Sequence, residues 1–109
     1  MKKTHEKCCD ACNKCIKACC DCVNMCSNMK GKHLEKMMEC LKTCRECISV
    51  CKCCTDMCCC EGKCLSDICK TCIKACEMCI KECSKHDHDT CKECVKCCKA
   101  CIKECKKLC

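Results

Sequence analysis

Cys8, Cys12, Cys15, Cys19, Cys22 and Cys26 are separated by four, three, four, three and four residues. The same intervals recur through Cys40, Cys44, Cys47, Cys51, Cys54 and Cys58. Two further rows, Cys69, Cys72, Cys76, Cys79 and Cys83, then Cys91, Cys94, Cys98, Cys101 and Cys105, run three, four, three, four. Such intervals mark the a and d positions of a heptad, the stripe of a helix that faces its partners, and a strand period of two does not fit them. Twenty-two of the thirty cysteines therefore lie on four helical seams.

The breaks between seams define the segments. Gly31 and Gly62, the only glycines, are read as left-handed residues closing the first two helices. The polar stretch "CSKHDHDTC" at 83–91 marks the third break, with Asp87 or Asp89 as a cap for the next helix. Helices are expected near 4–30, 32–61, 65–85 and 89–109, and residues 1–109 are expected to form a single domain. Short connections make consecutive helices antiparallel. The expected fold class is thus all-α, an antiparallel up-down-up-down four-helix bundle with a cysteine-lined core.

With no Phe, Tyr, Trp or Pro in the chain, the large side chains that usually dominate a core are missing. The remaining aliphatics follow one rule. Ile16, Val23, Leu34, Leu41, Ile48, Ile73, Ile80, Val95 and Ile102 each stand directly after a seam position, at e of the heptad. The result is a recurring Cys-[Ile/Val/Leu]-x-x-Cys module, as in "CIKAC" at 15–19 and 72–76, "CISVC" at 47–51, and "CIKEC" at 79–83 and 101–105. With Ala11, Ala18, Val50, Ile68 and Ala75 on the other flank, these residues are expected to join neighbouring helices while the thiols face the axis.

Charge and composition exclude several function classes. The net charge is +7, but the lysines are spread singly among glutamates rather than gathered in a stripe, and no aromatics are present for base stacking; no nucleic-acid role is expected. The basic start "MKKTHEKCCDAC" is followed by no apolar run or small-residue cleavage site, and nothing approaches a membrane span. The protein is read as soluble and cytoplasmic, where thiols stay reduced. An enzyme is not expected, because no nucleophile is singled out beside a base.

Three readings of a thiol-lined axis compete. As plain core, cysteine is inferior to leucine, which buries more apolar area. As a disulfide framework, dense seams offer each thiol several partners and specify none. As metal ligands, thiols at i, i+3 and i+4 project from one helix face, so one helix can clamp an ion. Soft thiolates select Cu(I), Zn(II) or iron–sulfur clusters. Zinc sites and iron–sulfur clusters use defined sets of four, whereas an unbroken row suits many Cu(I) ions sharing thiolates. Each Cu(I) that displaces one proton leaves the interior neutral; an isolated zinc on four thiolates would bury two negative charges. Zinc or cadmium sequestration of a metallothionein-like kind and an iron–sulfur electron carrier remain the alternatives.

In its four seams, its CxxxC/CxxC alternation, its lack of aromatics and its His/Met-rich end, the chain resembles the bacterial four-helix-bundle copper storage proteins over essentially its whole length. The resemblance implies storage of many Cu(I) ions per chain, and, with no leader read at its start, the chain is expected to be similar to the cytosolic branch. It also implies a homotetramer of bundles and, as exchange partners, copper chaperones. The cysteine content is unusually high for that family, which leaves the extra thiols without an assigned role.

The two ends of the tube differ. Met29, His33, Met37 and His86 extend the seams at one end, with Met25, Met38 and His88 beside them. Thioether and imidazole bind Cu(I) without losing a proton and more weakly than thiolate, so these four are candidate ligands of a copper mouth. The opposite end carries His5, Met57, Cys59, Cys60, Leu65 and Leu108 and is expected to be closed. Cys9, Cys64, Cys97 and Cys109 flank the seams as candidate additional ligands, whereas Cys20, Cys53, Cys59 and Cys60 fall on outward positions.

Overall fold

A computed structural model describes residues 2–109. It consists of α1 (Lys3–Ser27), α2 (Gly31–Cys60), α3 (Leu65–Cys83) and α4 (Asp89–Lys106), with no strand among the described residues. Each helix packs on two neighbours, in the ring α1–α2–α3–α4–α1, and the diagonal pairs have no Cα atoms within 8 Å of one another. The bundle measures 46 × 18 × 17 Å, and α2 alone accounts for its long axis, since thirty residues at about 1.5 Å each extend about 45 Å.

Every seam cysteine is fully buried, with Cys83 at 1% exposure and all the others at 0%. The flanking aliphatics form the expected girdle. Ala18, Leu41 and Ala75 are buried, and Ile16, Val23, Ile48, Ile73, Ile80, Val95 and Ile102 are partly buried against the core, as are Ala11, Val50 and Ile68. Leu34 is half-buried on the first turn of α2. Apolar area is thus buried between adjacent helices, off the axis, and the axis itself is sulfur.

The helix ends depart from the expected pattern in three places. Gly31 does not close α1; with φ +59° it opens α2, and a Cβ there would meet nothing within 4 Å, so the backbone angle is what favours glycine. The left-handed residue closing α2 is Glu61 at φ 50°. Gly62 donates its N–H to the Met57 carbonyl, and a Cβ there would lie 2.6 Å from Sδ of the flexible Met57 side chain, which would have to move aside. Neither Asp87 nor Asp89 caps α4 through its side chain; His88 holds the cap position and Asp87 pairs with Lys92 at 2.9 Å. None of the four helices has a side-chain N-cap hydrogen bond, so their definition rests on lateral packing, the dominant source of helix stability in proteins. No helix is long and apolar enough to cross a membrane.

Candidate metal centre

The cysteine rows on α1 and α3 are offset from those on α2 and α4 by half the step between successive seam cysteines, and this sets how the thiols meet. Four-thiol sets whose sulfurs all lie within 4.8 Å of one another are Cys8/Cys54/Cys69/Cys105, Cys12/Cys54/Cys72/Cys105, Cys12/Cys51/Cys72/Cys101, Cys15/Cys51/Cys76/Cys101 and Cys15/Cys47/Cys76/Cys98, with four more among the described residues. Consecutive sets share two cysteines, and the shared pair is always diagonal: Cys54 with Cys105 on α2 and α4, then Cys12 with Cys72 on α1 and α3, then Cys51 with Cys101. The axis is therefore a ladder of two-thiol rungs, each turned about a right angle from the last.

The ladder continues toward the far end. Cys19 meets Cys79 across the diagonal at 3.9 Å and Cys94 at 3.5 Å. Cys44 contacts Cys79 at 3.8 Å and Cys83 at 3.9 Å, and Cys40 contacts Cys83 at 3.6 Å. Cys44 with Cys94, Cys22 with Cys83 and Cys40 with Cys91 lie near enough to shift one another's protons and form the next rungs. Ten rungs use twenty of the seam cysteines; Cys58 and Cys26 remain, one at each end. Sulfur separations of 3.5–4.0 Å are those of thiolates sharing an ion at a metal–sulfur distance of about 2.3 Å. All thirty cysteines are free thiols.

Burial and mutual contact decide how these thiols hold their protons. Near the ends burial dominates, pushing Cys26 and Cys69 up to about 11 and Cys58 up to about 12, with Cys91 also raised. Along the middle, neighbouring thiols share protons. Cys94 is held below the ordinary thiol range by hydrogen bonds with Cys19, Cys22, Cys44 and Cys79, while Cys19 is pushed up, first by its hydrogen bond with Cys15. Cys22 donates to the Thr90 carbonyl at 3.3 Å.

At the His/Met end the four candidate ligands differ in depth. Met37 is 3% exposed and caps the column; Met29 and His86 are half-buried, and His33 is exposed on the first turn of α2. His86 lies near the last rung, close enough to influence the Cys40 thiol. Met25 is engaged by the Thr90 hydroxyl, which donates to its Sδ at 2.8 Å, and Met38 is 36% exposed. Of the flanking thiols, Cys9 and Cys97 are half-buried, and Cys64 and Cys109 are exposed. Cys97 donates to Glu93 at 3.6 Å and Cys109 to the Cys105 carbonyl at 3.4 Å. Cys20 is half-buried, and Cys53, Cys59 and Cys60 are exposed. The seam intervals identified the column but not its rung order, which depends on the relative heights of four helices; nor did they reveal Thr90, whose carbonyl and hydroxyl engage Cys22 and Met25.

A sequence model of the copper storage proteins matches residues 1–109. The chain belongs to the copper storage protein family. This copper storage protein is similar in structure to the Cu(I)-bound copper storage protein 3 of Bacillus subtilis, with a TM-score of 0.90 and 33% identity over 97% of this chain and 98% of the other. It is also similar to the apo form of that protein, with a TM-score of 0.84 and 35% identity over 94% and 96% of the two chains. No curated protein matches it significantly in sequence. The family accounts for a bundle whose axis is surrendered to sulfur.

Proposed function

We propose that this chain stores Cu(I) along its axis, with the twenty-two seam cysteines as thiolate ligands. The observation that carries the reading is the sharing of diagonal thiol pairs between consecutive sets. A seam advances about 5.3 Å per cysteine, and interleaving two diagonal seams puts neighbouring sites only about 2.6 Å apart. Two divalent ions at that spacing repel four times as strongly as two monovalent ones. Zinc or cadmium taking four thiolates each, in sets that share no thiol, would number about five ions for twenty rung cysteines. Monovalent ions that accept two or three thiolates and share them can occupy the column continuously, each replacing a proton and leaving the interior close to neutral.

A storage role rather than a catalytic one is the reading that membership of the copper storage protein family supports. The reading requires a compartment that keeps thirty thiols reduced, which we take to be the cytoplasm. A homotetramer of bundles and exchange with copper chaperones accompany it. Met29, His33, Met37 and His86 serve as the mouth, where donors that need not lose a proton receive and release copper. Zinc titration of the reduced protein, followed by metal analysis after desalting, tests the monovalent preference. The expected zinc content is no more than about five per chain, with Cu(I) displacing all of it; zinc binding well beyond that number would favour sequestration of divalent ions instead.

A further inference from the structure

The end of the bundle opposite the mouth is covered unevenly. On its α3–α4 side Leu65 is buried and Leu108 half-buried. On its α1–α2 side sulfur and imidazole lie outside the column. His5 and Cys9 stand one turn apart on α1 and so share a face. Cys9 is half-buried and accepts from Asn13 Nδ2 at 3.8 Å, and the Cys59 thiol on α2 lies near enough to strengthen its hold on its proton. The His5 side chain is 12% exposed, and its Nδ1 is buried with no hydrogen-bond partner; the nearest carboxylate oxygen, Glu61 Oε1, is 3.7 Å away. Among the described residues it is the only buried side-chain nitrogen or oxygen left in this state. Such an atom is costly to a fold and calls for an explanation. Inward, Cys9 lies close to Cys8 and Cys58, the last thiols of the column at this end.

We propose that His5, Cys9 and Cys59 form an outer Cu(I) site at the α1–α2 edge, from which the ion passes to Cys8 and Cys58. The proposal rests on the Cu(I) reading of the column. A neutral imidazole and two thiolates are a donor set for a soft ion. On binding, Cys9 and Cys59 each release a proton to solvent, and the copper remains Cu(I). Passage inward is ligand exchange: bonds to Cys9 and Cys59 break as bonds to Cys8 and Cys58 form, and the protons leaving the inner thiols are matched by those the outer thiolates regain. The half-exposed position keeps the single net negative charge of the loaded site in contact with water, where its desolvation cost is small. The exposed Cys59 thiol is the point at which a thiol-bearing donor can reach the bundle.

The test uses the full chain, reduced, with Cu(I) supplied from a competing chelator. Imidazole resonances are followed by NMR, with His5→Gln identifying the His5 ring, and capacity and loading rate are compared with those of a Cys9→Ser/Cys59→Ser variant of unchanged helical content. The expected results are a shifted His5 ring on Cu(I) addition, a loss of about one Cu(I) per chain in the variant, and loading slowed several-fold. A His5 ring that does not respond, or a variant with full capacity, overturns the site; an unchanged loading rate overturns the transfer step. Failure of the unmodified chain to exceed the zinc limit would contradict the storage column instead, and so is distinguishable from failure of the outer site.

Discussion

A thiol at a buried seam position contributes less apolar burial than leucine and carries a proton whose affinity the fold alters. Cys26, Cys58 and Cys69 have folded pKa values raised above the ordinary 9.0, to about 11, 12 and 11. A raised thiol pKa means that the folded state holds its proton more tightly than the unfolded chain. The resulting stability is fully present below about pH 9 and is lost as pH rises through the folded values. The metal-free protein is therefore expected to lose resistance to urea between about pH 9 and 12, measured by far-ultraviolet circular dichroism under reducing conditions. At one exposed position the backbone supplies a complementary test. Glu61 occupies a left-handed conformation at φ 50°, so Glu61→Gly is expected to stabilise the metal-free bundle by about 0.5–1 kcal/mol in urea denaturation.

Between helices, the girdle and the column have separable roles, and substitutions distinguish them. Ile80 packs partly buried against the core, and Ile80→Ala is expected to cost the metal-free bundle about 1–3 kcal/mol while leaving copper capacity unchanged. Cys76→Ala, on the axis, removes a thiol but little apolar area and is expected to do the reverse, lowering capacity at small cost in stability. Denaturation and Cu(I) titration of both variants check the crossover. At the mouth, alanine at Met29, His33, Met37 and His86 together is expected to slow loading or release with capacity nearly intact; equal loss of rate and capacity would make them ordinary storage ligands. The elements themselves were readable in the sequence because a 4-3-4 interval of a single residue type is an unusually clean helical signal. Their ends were not, because the left-handed Gly31 opens α2 instead of closing α1, the left-handed residue after α2 is Glu61 rather than Gly62, and no side chain caps the start of any helix.

At the scale of the whole molecule, four amphipathic helices place twenty-two buried thiols on one axis and move the apolar contacts to the flanks. Which cysteines would line the axis could be read from the heptads. That they pair diagonally into rungs could not, since intervals within one helix do not fix the relative heights of four helices. The offset of half a cysteine step brings adjacent sites within about 2.6 Å and makes the column suited to many monovalent ions rather than a few divalent ones. The most direct test is the number of Cu(I) ions bound per reduced chain at saturation against a competing chelator. The account predicts a ratio approaching the seam count with little change in helical content; saturation at about four to seven ions, the range expected of separate four-thiolate sites, would contradict it.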